Sequence, residues 1–231
     1  MAPHPLHRFD PSDPPLLLPP QWMGSVAYYA LMAAWPRVAV DASLRYDKRF
    51  KGVHRMAIAD TRGRLSLTVP VSRPAGAFTA GTLRWSDVTV SAHGRWWEIQ
   101  PVALESAYGR TPFFEYYIDR LMPLFDQNAV IGIPVTELDS RADAIIRKIL
   151  GIDTQLISSD DAGDDAIDLR RIDFSTAPQA TPRYWQVRET SLGFISNLSI
   201  LDLIFSLGPE APLYLRDAFD ALKRQAGATQ P

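Results

Sequence analysis

The chain falls into blocks whose hydrophobic period changes from one to the next. "LLLPP" (16–20) is a continuous apolar run closed by prolines, the pattern of a short buried strand. "WMGSVAYYALMAAW" (22–35) is apolar all round, which predicts a buried helix ending before Pro36. "RVAVDA" (37–42) predicts a second strand, so strand, helix and strand follow one another with short links, as in a βαβ unit. "MAIADTRGRLSLTVPVS" (56–72) alternates and turns at Arg62-Gly63, a hairpin signal. "SDVTVS" (86–91) predicts one further strand.

Beyond residue 94 the period becomes helical, in "RWWEIQPVALESAY", "TPFFEYYIDRLMPLF" and "TELDSRADAIIRKILGI". Pro101 is expected to kink or restart the first of these helices. Thr111-Pro112, with Glu115 close behind, reads as the start of the second. The fold class is therefore α/β: a βαβ unit and a hairpin forming a mixed sheet, with a mostly helical C-terminal half. Because strands cluster early and helices late, α+β is the alternative. One domain over residues 16–225 is expected, between a disordered Pro- and Asp-rich lead-in (1–15) and a flexible tail (226–231).

In "GFISNLSILDLIFSLGPEAPLYL" (193–215), Ser199 with Asp202 three residues on resembles a capping box, and Leu198 and Leu203 occupy the positions of a hydrophobic staple. Gly208-Pro209 stops that helix. The same grammar leaves Asn197 and Glu210 unexplained.

Composition narrows the function. With 46% hydrophobic residues, 22% charged residues and a net charge of −2, the chain is an ordinary globular one, with no chain-wide affinity for nucleic acid. The absence of cysteine excludes disulfides, thiolate nucleophiles and cysteine-based metal centres. No apolar run has the length of a signal peptide core or a membrane span, so a soluble, cytoplasmic protein is expected. The acidic "SSDDAGDDAID" (158–168) lacks the Glu that closes an EF-hand and reads as a solvated linker.

No GxSxG, P-loop, GxGxxG or HExxH motif is present. Of four histidines, His4 and His7 lie in the lead-in, leaving His54 and His93 as ordered candidates, too isolated to suggest zinc. "RYDKRFKGVHR" (45–55) gathers Arg45, Lys48, Arg49, Lys51 and Arg55 around Tyr46 and Phe50. Guanidinium groups on a loop between strands suit a phosphate or pyrophosphate, and a solvated basic loop is the equal alternative. His54 is the candidate general base of that loop, with Asp41 beside it as a second catalytic candidate. The aromatic cluster from Trp96 to Tyr117 reads mostly as core, with Trp96 and Tyr108 the residues that could offer a donor at a pocket wall.

Taken together, these segments resemble the WbqC-like protein family. The resemblance is carried by "LTVPV" (67–71), by the Trp96, Ala107-Tyr108 and Pro112-Phe113-Phe114 spacing, and by "LGI" (150–152). "YWQV" (184–187) followed by "GFISNLSILDLIFSLGP" is similar to the C-terminal signature of the family's Bacteroidetes-type branch. The chain departs from the family pattern at Ser25, where a proline is usual, in the longer, Asn-lacking basic segment, and at Gln100, where a histidine often stands.

The resemblance implies a place in O-antigen or other surface-polysaccharide biosynthesis, with acyl or aminoacyl (glycyl) transfer onto an activated sugar as the expected reaction. The non-catalytic alternative is a module that binds a sugar phosphate or a partner protein. It also implies that Tyr184, Gln186, Asn197 and Asp202 join Tyr46, Lys48, Arg49 and Arg55 in one cleft. There Asn197 would stand at a helix N-terminus that favours an anion; the alternative, which the residues favour slightly, is a docking helix that completes the core. The expected partners are a phosphorylated or nucleotide-activated sugar and an activated acyl donor. No cofactor, metal, nucleic acid or membrane span is indicated.

Overall fold

The computed structural model describes residues 6–74, 82–175 and 181–228. In chain order the strands are β1 (Leu16–Leu18), β2 (Arg37–Val40), β3 (Arg55–Asp60), β4 (Gly63–Thr68), β5 (Val71–Ser72), β6 (Thr89–Val90), β7 (Gln155–Leu156) and β8 (Ile167–Asp168). The helices are α1 (Val26–Ala34), α2 (Trp96–Tyr108), α3 (Phe114–Leu121), α4 (Gln127–Val130), α5 (Val135–Leu150), α6 (Glu189–Leu192), α7 (Ile200–Leu207) and α8 (Ala211–Ala228).

The central sheet has the order β7-β2-β1-β8 and is parallel throughout. Its interior follows from the apolar runs read in the sequence, since a parallel strand is covered on both faces. Leu16, Leu18 and Val38 face the main core, while Leu17 and Ala39 pack against Ala162 on the other side. The α/β class is borne out, and the βαβ unit is β1-α1-β2. The hairpin β3–β4 pairs in register from Arg55↔Thr68 to Asp60↔Gly63 and forms its own two-stranded ladder, as does β5–β6.

The acidic 158–168 segment is not only a linker: its last two residues form β8, whose register is Leu16↔Ile167. The expected lead-in also packs. Leu6 is buried, Phe9 stacks on Trp35 with ring centroids 3.9 Å apart, and the Arg8 guanidinium lies 3.0 Å from Asp220.

α2 runs unbroken through Pro101, which stands in its second turn. The Thr111 hydroxyl turns back to the Tyr108 carbonyl at 2.6 Å, closing the turn after α2, and α3 starts later, at Phe114. Ser199 caps α7 through the Leu201 amide at 3.3 Å. Asp202 does not complete a capping box, because its carboxylate bonds elsewhere, and Leu198 packs with Ala57 and Ala59 in a small cluster apart from Leu203. Gly208, at φ 51°, stops α7, and its position against the Phe113 ring leaves no room for a Cβ.

Candidate functional site

In a parallel sheet the carboxyl ends of all strands open on one edge, and ligands of α/β folds bind there. Here that edge carries Pro19 to Gln21 after β1, Asp41 after β2, Ile157 after β7 and Leu169 to Arg171 after β8. A cleft of about 820 Å³ is lined by Arg45, Tyr46, Lys48 and Arg49 from the loop after β2 and by Arg171 and Asp173 from the loop after β8.

The basic loop is held by named contacts. Tyr46 N–H donates to the Leu83 carbonyl at 2.8 Å, Trp85 N–H donates to Leu44 at 2.9 Å, and the Tyr46 ring packs 4.6 Å from that of buried Trp85. Asp47 turns the loop by accepting the Arg49 amide at 2.9 Å and also binds the Arg49 guanidinium, which holds its carboxyl below the usual range. Arg49 remains 85% exposed, so its Nη1, which makes no bond to Asp47, is available to a ligand. At the back, Arg170 Nη1 donates to Asp41 Oδ2 at 2.7 Å, and Ser43 donates to Asp41 Oδ1. Burial raises the Asp41 pKa, but the bonds from Ser43 and Arg170 prevail and hold it low. Asp41 is thus an ionised anchor for the cleft walls rather than an open base.

The other expected residues divide by location. His54 is mostly buried beside Trp85, with Nδ1 3.2 Å from the Val69 carbonyl, and burial pushes its pKa down to about 4. Arg55, at the start of β3, turns away from the cleft into a small crevice that it shares with Gln21, Arg64 and Asn197. His93 is exposed in the turn before α2.

Asn197 is 1% exposed and left-handed at φ 51°. Its Oδ1 accepts the Ala27 amide at 3.0 Å, satisfying a donor in the first turn of α1, and its Nδ2 donates to the Phe174 carbonyl at 3.0 Å. The position that an anion would take at that helix end is filled by the asparagine's own oxygen. Arg64, which the sequence does not single out, donates to the carbonyls of Ser175, Ser196 and Asn197 and so fixes this segment onto β4.

Asp202 accepts from the Tyr184 hydroxyl and from Gln186 Nε2, the latter at 2.9 Å, and Tyr108 reaches the same carboxyl. Gln186 also bonds both backbone groups of Ile195. Trp96 donates to the Ser91 carbonyl at 3.0 Å, and Gln100 accepts from Trp22 at 3.2 Å in the core. All seven of these side chains are buried, with protein partners. The structure therefore brings Tyr46, Lys48 and Arg49 together, and places Trp96, Tyr108, Tyr184, Gln186, Asn197 and Asp202 in the framework behind them.

Arg171 and Asp173 complete the cleft, and no local signal marks them, because only the β1–β8 pairing carries them to residues 44–50. Among the described residues no group of three or more His, Cys, Asp or Glu side chains could hold a metal ion. Likewise, among them no helix is long and apolar enough to cross a membrane.

The chain is thus an α/β domain with a cation-lined cleft at the carboxyl edge of its parallel sheet. Residues 19–186 match the WbqC-like protein family, and the chain belongs to it. The family is linked to surface-polysaccharide biosynthesis. The match ends before the Asn197 segment. No curated protein and no solved structure matches the chain.

Proposed function

We propose that the cleft binds a phosphorylated or nucleotide-activated sugar used in O-antigen or other surface-polysaccharide biosynthesis. The observation that carries this reading is the charge of the walls: Arg45, Lys48, Arg49 and Arg171 face a cleft with only Asp47 and Asp173 as counter-charges, and Asp47 is already bound to Arg49. Guanidinium forks on two separate loops suit a diphosphate, and the 820 Å³ volume suits the sugar and nucleoside around it. Binding without turnover accords best with the sealed Asp41 and the buried His54.

Acyl or aminoacyl (glycyl) transfer to that sugar is the second reading, and one observation favours it. The Val69 carbonyl orients Nδ1–H of a neutral His54, leaving Nε2 as an acceptor, which is how a general base is presented.

Thermal-shift titration with nucleotide sugars, sugar phosphates and acyl-coenzyme A tests both readings. A nucleotide sugar should raise the melting temperature of the wild type and not that of an Arg49→Ala, Arg171→Ala double variant. If no phosphorylated sugar acts, the binding reading fails. If His54→Gln retains binding and loses group transfer to a bound sugar amine, the second reading holds.

A further inference from the structure

A second cavity, of about 150 Å³, opens on the same sheet edge and shares no lining residue with the cation-lined cleft. Its polar wall is α5, which contributes Thr136, Asp139, Ser140 and Asp143, opposite Gln21 and Tyr28. Asp139 and Asp143 are four residues apart and so lie one above the other on one helix face. Asp139 is 2% exposed, yet both its carboxyl oxygens are buried without a hydrogen-bond partner, and so is Asp143 Oδ1. Asp143 Oδ2 is already taken by Arg147 Nε at 2.8 Å, and Tyr29 also approaches this carboxyl.

A buried carboxyl group without a partner is costly, and protein interiors rarely leave one so. The two orphaned oxygens of Asp139, with Asp143 Oδ1 beside them, suit the N–H donors of a primary ammonium group. Two carboxyl groups with no third ligand make a poor divalent site. The cavity has room for only a small molecule, and exposed Leu156 lies on its rim.

We infer that this cavity is a binding site for the protonated primary amine of a small ligand, held by Asp139 and by the free oxygen of Asp143. The site is independent of the anion cleft, and either can fail without the other. Burial and the neighbouring Asp143 push the Asp139 pKa up, and an ammonium ion seated between the two carboxyl groups would pull it back down.

Calorimetry of the full chain with methylammonium, ethanolamine and glucosamine, against ethylene glycol and glucose as amine-free controls, decides the matter. At least one amine should bind with the controls silent. Asp139→Asn should weaken that amine on the order of ten- to a hundredfold, as loss of a charged hydrogen-bond partner does. Its unliganded melting temperature should stay level or rise, which shows that the variant folds. Three silent amines, unchanged affinity in Asp139→Asn, or a magnesium or calcium salt binding in place of the amines would each overturn the assignment.

Discussion

The Arg170 guanidinium and the Asp41 carboxylate meet at 2.7 Å across the end of β1, although 129 residues separate them in sequence. Asp41 closes β2, and Arg170 follows β8. Asp41 N–H also donates to the Leu18 carbonyl, the last of β1, at 3.0 Å. Asp41 therefore ties the ends of three parallel strands together beneath the cleft, to β1 through its amide and to the segment after β8 through its carboxylate.

Asp41→Ala should cost roughly 2 kcal/mol in urea unfolding, because it removes the bonds from Ser43 and Arg170, while Arg170 keeps its pair with Asp168. The Asp41 pKa is depressed in the folded protein, so its contribution is present above the unfolded value of about 3.9 and is lost as pH falls through the folded one. The variant's deficit should accordingly shrink below about pH 4.

Lys48→Ala and Arg171→Ala should leave stability within about 0.5 kcal/mol, since both side chains are exposed. Each should weaken a nucleotide sugar by about tenfold, and added salt should narrow the gap from wild type. Calorimetric titration at two salt concentrations checks both expectations.

His54 gives a second acid signature of the same sign by a different route. Its folded pKa of about 4 lies below the usual 6.5, so the unfolded chain takes up the proton first. Stability is therefore lost as pH falls from about 6.5 toward 4, by up to about 3 kcal/mol at the low end. His54→Gln should flatten that part of the pH–stability curve, and an NMR titration of the imidazole should give the depressed midpoint directly.

Asn197→Ala should destabilise by about 2 kcal/mol, through loss of the α1 cap and of the Phe174 bond. Asn197→Val should be worse, because a β-branched residue resists φ 51°. Neither should alter nucleotide-sugar affinity at temperatures where the protein is folded. Thermal melts and binding isotherms on the same samples separate the two effects.

The long elements were legible because each has a period: the apolar run of α1, the alternation of β3 and β4, the stripe of α5. β7 and β8 were not, since two residues carry no period and both are exposed strands whose pairing depends on β2 and β1. The 45–55 loop could be read as basic, but not that Arg49 and Arg55 point into different cavities. Asn197 was noticed for its setting in an apolar run, and that setting reflects capping of a helix 170 residues away. Asp139 had a signal that went unread, since it falls on the buried face of α5 with Val135, Leu138 and Ala142.

The order in which the sheet is completed bears on synthesis. β1 and β2 emerge from the ribosome early, whereas both outer strands, β7 and β8, are encoded beyond residue 154. Until then the nascent chain holds a two-stranded parallel ribbon with both edges bare, a template for pairing with another chain. Chains that stop short of residue 168 should therefore be aggregation-prone even though they contain most of the cleft loop.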